Sequence, residues 1–123
     1  MVEKYRIVLV VDDEPEVREY AAQVLRTHGF LVAAAANAEA ALEILQNVIV
    51  DVLFTDIVMP GRLDGLALAG RARRLQPRIR VVCATGFARI EDDAALDLCR
   101  RLLRKPYRPQ QLITEIDGAL ATE

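Results

Sequence analysis

The chain is poor in several residue types, and each scarcity excludes something. Its 123 residues hold two cysteines and one histidine. Cys83 and Cys99 have no metal-ligand spacing and are too few for a disulfide scaffold. A reduced cytosolic protein is expected, with Cys83 a buried strand residue, Cys99 a helix-end residue and neither in a redox role. No stretch approaches the ~18 apolar residues of a membrane span, and the charged N-terminus does not read as a signal peptide. Positive charge is not in excess. Sixteen Lys and Arg against 18 Asp and Glu leave a formal net charge of -2, which argues against direct nucleic-acid binding through overall basicity. Linkers, low-complexity segments and long repeats are absent, and the length is too short for two ordinary domains. Membrane proteins, secreted mini-proteins and multidomain enzymes drop out. One domain over residues 1–123 is expected, with no room for a separate output domain.

What is present is 53% hydrophobic and 28% charged, enough for a real core. The patterning alternates between two kinds of segment. Arg6 to Val11 is a β-branched run of the kind buried on both faces of a parallel sheet. Glu14-Pro15-Glu16 opens a helix, with proline and acids suited to the first turn. Val17, Tyr20, Ala21, Val24 and Leu25 follow at helical spacing, and Gly29 is a stop. Phe30 to Ala34 reads as a second strand, and Asn37 caps a helix to about Gln46. Val50 to Thr55 reads as a third strand ending at Asp56. Asp64 or Gly65 begins a helix through Leu75. Ile79 to Ala84 is a fourth strand ending at Thr85-Gly86, followed by a helix over Ala88 to Leu98. Leu102-Leu103 is a short fifth strand, and Gln110 to Leu120 a last helix. Five βα units in a row predict an α/β fold: a doubly wound parallel sheet with helices on both faces and right-handed crossovers. Arg71 to Arg74 reads as a solvated helix face, and His28 as a residue near a helix C-terminus, outside the acidic site.

Ligands of such sheets bind beyond the carboxyl ends of the strands. The residues there are Asp12 and Asp13, Asp56, Thr85 and Lys105. Three close carboxylates repel, by about 3 kcal/mol per pair at ~5 Å and an effective dielectric near 20. A hard divalent cation relieves this, and oxygen donors favour Mg2+. Lys105 adds a point charge, Thr85 a hydroxyl donor, and Gly86 leaves backbone space. Metal, lysine, hydroxyl and a lone carboxylate suit phosphoryl transfer onto a carboxylate. Each element alone has a plainer reading, as a cap or a turn. Their conjunction at four of five strand ends carries the argument.

Over essentially its whole length the sequence resembles the receiver domain of two-component response regulators. The residues that carry the resemblance are Asp12-Asp13, Asp56 with Met59-Pro60 and Asp64-Gly65, Ala84-Thr85-Gly86, and Lys105-Pro106. The resemblance implies a flavodoxin-like five-stranded sheet in strand order 2-1-3-4-5. It implies a phosphorelay role in which Asp56 accepts a phosphoryl group from a histidine kinase or a histidine phosphotransfer protein. Mg2+ would be bound directly by Asp13, through water by Asp12, and by Asp56 and the backbone carbonyl of Val58. Lys105 and Thr85 would hold the phosphoryl oxygens, and the Lys105-Pro106 bond would be cis. The output would be a downstream protein partner or a homodimer, formed on the face of the helix 88–98, the fifth strand and the last helix. Such a protein is a cytoplasmic switch and not a metabolic enzyme.

Three departures from the family pattern stand out. Many receivers carry an aromatic three residues before the lysine, whose rotamer follows the threonine. Here that residue is Leu102, and the remaining candidates are Phe87 and Tyr107, with Phe87 expected to change burial when the loop from Thr85 to Ala88 moves. An extra residue in Gly61-Arg62-Leu63 lengthens the loop beside Asp56, and together with Ala84-Thr85-Gly86-Phe87 and Leu103-Arg104-Lys105-Pro106-Tyr107 it resembles receivers attached to hybrid histidine kinases or their free-standing relatives. Val58 and Phe87 are apolar and cannot orient an attacking water, so slow self-dephosphorylation is expected. The competing readings are an Mg2+-dependent aspartyl-phosphate phosphohydrolase and a phosphorylation-independent binding module. The first needs an acid two residues after the nucleophile, where this chain has Val58.

Overall fold

The computed structural model describes residues 5–61, 63–86, 97, 99 and 101–121. Its strands are β1 (Ile7–Val11), β2 (Leu31–Ala35), β3 (Val52–Asp56), β4 (Arg80–Thr85) and β5 (Arg101–Arg104). Its helices are α1 (Pro15–Thr27), α2 (Ala38–Asn47), α3 (Gly65–Leu75) and α4 (Pro109–Ala121). All strands pair in parallel, in the order β2-β1-β3-β4-β5. The expected fold class and strand order are therefore observed. Of the expected helix over Ala88 to Leu98 only Asp97 is among the described residues, and the aromatic Phe87 lies outside them.

Strand side chains alternate between two cores, as the pleat requires. Leu9, Val11, Leu53, Val81 and Cys83 face one way and pack with α2 and α3 through Leu45, Leu68 and Ala72. Val8, Val10, Val52, Phe54, Val82 and Ala84 face the other way, toward Leu25 of α1 and Leu112 and Ile116 of α4. Each fully buried leucine or valine contributes about 1.5–3 kcal/mol, so both faces hold the strand ends in fixed relation.

Local signals set most of the boundaries. Pro15 occupies the first turn of α1. Gly29, with φ of 103°, ends that helix in the left-handed region that a Cβ disfavours. Asn37 and Asp64 cap α2 and α3 by accepting from the N–H groups of Ala40 and Ala67. β2 begins at Leu31 rather than Phe30, because the Phe30 N–H is used by Leu25 in the turn that closes α1. β3 begins at Val52, since the Val50 N–H donates to the side chain of Gln76. β5 is twice as long as its apolar pair Leu102-Leu103, because β4 supplies partners from Val82 to Thr85.

One expectation is overturned. Cys83 and Cys99 are joined in a disulfide. Cys83 lies inside β4, as the patterning requires. Cys99, two residues before β5, lies in the same core, a proximity in space that a separation of 16 residues does not reveal.

Candidate functional site

The carboxyl ends of β1, β3 and β4 converge at one edge of the sheet. After β1, Asp12 extends the ladder by one residue, its N–H donating to the Ala35 carbonyl at 3.2 Å. Its Oδ1 accepts the Glu14 N–H at 2.9 Å, which turns the chain into α1. Asp12 thus both shapes the turn into α1 and belongs to the acidic cluster. Arg18, one turn into α1, donates to the Asp12 carbonyl at 2.7 Å.

Asp56 closes β3, the middle strand. The Ile57 N–H donates to the Ala84 carbonyl, and the Gly65 N–H to the Ile57 carbonyl, at 3.0 and 2.8 Å. These bonds fold the loop after Asp56 back against the start of α3. Ile57 and Met59 turn inward to the core. Val58 points out, 51% exposed, and its N–H donates to Asp56 Oδ1 at 3.3 Å. Gly65 lies so close to the Asp56 backbone that a Cβ would overlap its carbonyl oxygen.

Asp12, Asp13 and Asp56 each offer a carboxylate oxygen, and these lie within 4.8 Å of one another. Asp12 and Asp56 are buried, at 5% and 7% exposure. Lys105, one residue past β5, reaches across three strands. Its Nζ donates to Asp12 Oδ2 at 2.8 Å and to Asp56 Oδ2 at 3.0 Å, and Glu14 Oε1 stands 3.9 Å away. Thr85 is buried at the end of β4, and its carbonyl accepts the Lys105 N–H at 2.9 Å. Lys105-Pro106 is cis, as the resemblance implies. The strand-end residues expected from the sequence are thus brought to one edge.

Charge and burial compete here. Burial pushes the Asp56 carboxyl above its ordinary range, and the hydrogen bond from Lys105 only partly offsets it. Burial opposes the Lys105 ammonium, but its hydrogen bonds to Asp12 and Asp56 outweigh that and raise its pKa. The lone lysine therefore stays charged among three acids.

Leu102 and Tyr107, on either side of Lys105, differ in burial. Leu102 is 38% exposed and does not pack into either core. Tyr107 is buried, with its ring edge-on to Phe54 at 5.7 Å and 6.0 Å from Tyr20. Burial, with Asp12 and Asp56 nearby, pushes its hydroxyl well above the usual tyrosine range. His28 lies at the far end of α1, 3.3 Å from Asp117 of α4, and takes no part in the cluster.

Sequence reasoning missed three supporting residues. Nothing in the sequence around Arg18 tells that it grips a carbonyl. Gly65 reads as a helix start, and its contact with Asp56 depends on the fold. Glu14 reads as a first-turn acid only. An open cleft of about 520 Å³, walled by Glu14, Val17, Tyr20, Pro106 and Tyr107, borders Lys105.

Comparison with known proteins agrees with this geometry. The response regulator receiver domain family matches residues 8–117. The response regulator receiver protein CpdR of Brucella abortus (strain 2308) is 33% identical over 117 residues, spanning 92% of this chain and 95% of that protein. A CheY-like response regulator receiver domain protein from Methanospirillum hungatei JF-1 has a similar crystal structure, with a TM-score of 0.88 at 27% identity over 96% of this chain and 95% of that one. The response regulator protein TrrA of Thermotoga maritima, crystallised in complex with Mg(2+)-BeF, gives a TM-score of 0.85 at 28% identity, covering 94% and 99% of the two chains. With its strand order, its strand-end acids and this match along nearly its full length, the chain belongs to the response regulator receiver domain family.

Proposed function

We propose that Asp56 is the phosphoryl acceptor of this receiver and that the donor is a phosphohistidine on a histidine kinase or a histidine phosphotransfer protein. The observation that carries the reading is the position of Asp56: buried, at the end of the middle strand, 3.0 Å from Lys105 and clustered with Asp12 and Asp13. A carboxylate oxygen of Asp56 forms the new O–P bond while the N–P bond to the imidazole breaks and the imidazole leaves. Asp12, Asp13 and Asp56 are hard oxygen donors close enough to share one ion, so they fit Mg2+, with the Val58 carbonyl as a further ligand. Bound there, Mg2+ would neutralise charge on the phosphoryl oxygens.

The chain's own residues do the rest. Lys105 pairs with the phosphoryl oxygens once they compete with Asp12 and Asp56 for its ammonium. Thr85 offers its hydroxyl, and Gly86 leaves room beside it. The cleft between α1 and Tyr107 gives a donor protein a place to rest while its imidazole reaches Asp56. The domain is a switch and not a turnover enzyme, acting in the cytoplasm through a downstream protein or a second copy. No helix among the described residues is long and apolar enough to cross a membrane. Half-exposed Val58 offers no group to orient water, which supports a long phosphoryl lifetime.

The test is incubation with acetyl phosphate and Mg2+, followed by intact-mass measurement. The wild type gains one phosphoryl group and Asp56→Asn gains none. Labelling of both, or of neither, overturns the assignment.

A further inference from the structure

The acidic site uses neither sulfur of the Cys83–Cys99 disulfide. Both residues are buried, at 0% and 2% exposure. Cys83 lies two residues before Thr85 and pairs in register with Leu102 of β5, three residues before Lys105. Cys99 enters the same core two residues before β5 begins. The bond therefore ties the approach to β5 onto β4, one pleat below the Thr85 carbonyl that accepts the Lys105 N–H. The chain has two cysteines in all, so this is the one disulfide it can form within itself. Disulfides in cytosolic proteins are mostly transient, formed in catalysis or in redox sensing.

We propose that Cys83 and Cys99 form a redox site that exchanges with small disulfides of the oxidised-glutathione class, and that closing it disfavours phosphorylation of Asp56. This rests on the receiver reading above. The chemistry balances as two exchanges. The Cys99 thiolate attacks one sulfur of the small disulfide and expels one thiolate. The Cys83 thiolate then attacks the Cys99 sulfur of the mixed disulfide and expels the second. The protein loses two electrons and two protons, and the small disulfide becomes two thiols. Cys99 takes the first attack because it stands outside the sheet, whereas Cys83 lies within β4, between β3 and β5.

The direction follows from the arrangement that the bond accompanies. With the disulfide closed, Lys105 is committed to Asp12 and Asp56. A phosphoryl group brings about two negative charges to Asp56, and Thr85 and Lys105 must turn toward them. A cross-link within two residues of Thr85, set in a packed core, resists that adjustment. Linkage makes the effect reciprocal: a phosphoryl mimic must favour the dithiol by the same factor.

The experiment titrates wild-type protein with beryllofluoride in Mg2+, once fully reduced and once oxidised with glutathione disulfide. Thiol titration after denaturation counts two free thiols in the first sample and none in the second. We expect the oxidised form to bind about fivefold more weakly or worse. Saturating beryllofluoride should shift the glutathione poise of disulfide formation by the same factor. Cys99→Ser and Cys83→Ala should each bind like the reduced wild type in either buffer, so the loss of one variant to misfolding leaves the other. Equal affinity in the two states, tighter binding by the oxidised form, or thiols that stay free under oxidising conditions would overturn the proposal. Equal binding leaves the receiver reading intact. A protein that forms the disulfide yet binds beryllofluoride in neither state loses both.

Discussion

The ammonium of Lys105 stands 3.0 Å from a carboxylate oxygen of Asp56, from opposite sides of a strand that separates them in the sheet. It also holds Asp12, so one cation balances two buried anions. Lys105→Met leaves both acids unpaired, and breaking a buried pair costs about 3 kcal/mol. We expect that loss in urea melts without divalent ions, with Mg2+ recovering more of it in the variant than it adds to the wild type. The pH dependence has a definite sign. The Lys105 pKa is raised above its ordinary 10.5, so its stabilisation is complete below that value and disappears as pH rises through the raised one. Alkaline melts should fall more steeply for the wild type than for Lys105→Met.

Asp56 has the opposite balance. Burial raises its pKa despite Lys105, so the folded state favours the protonated form. The wild type loses stability as pH climbs from the ordinary 3.8 through the raised value. Asp56→Asn stays neutral and escapes that loss. Its melting temperature at neutral pH should exceed that of the wild type, and the gap should close below pH 4. A gap that persists at low pH would mean that shape, not charge, sets the difference.

Two glycines in α3 should respond with opposite signs. A Cβ on Gly65 would overlap the Asp56 carbonyl oxygen, which is backbone and cannot turn aside. Gly65→Ala should cost about 3 kcal/mol, the upper end for overpacking, and should weaken Mg2+ binding by shifting Asp56. Gly70 has open space around its would-be Cβ. Gly70→Ala should stabilise by about 0.5–1 kcal/mol through helix propensity. Denaturant midpoints of both variants, with and without Mg2+, check the pair.

Parallel sheets explain why so much of the site is legible in the residues alone. Strands buried on both faces read as apolar runs, and the runs ending at Val11, Thr55 and Ala84 locate the edge where polar residues gather. Asp12, Asp56, Thr85 and Lys105 follow from that rule without any coordinates. What stays hidden depends on through-space approach. Gly65 looks like any helix start until α3 is laid on Asp56. The two cysteines look like a buried strand residue and a helix-end residue until the fold brings them together. Leu102 and Tyr107 are both apolar by composition, and only the register of β5 and the turn after Pro106 send one outward and the other inward.

Tyr107 gives the site an intrinsic reporter. The chain has no tryptophan and three tyrosines. Tyr5 and Tyr20 are exposed, whereas Tyr107 is buried against Phe54, two residues from Lys105. Mg2+ or beryllofluoride changes the charge beside that ring. Tyrosine emission should therefore change on addition of either, and Tyr107→Phe should lose most of the change while Tyr5→Phe keeps it. The same burial predicts the alkaline difference spectrum. The Tyr107 hydroxyl is held well above its ordinary value of 10.0 by burial, with Asp12 adding to the effect. Tyr107 should ionise only as the fold opens. Tyr107→Phe should remove that late step. An emission change or a late alkaline step that survives in Tyr107→Phe would place the reporter elsewhere.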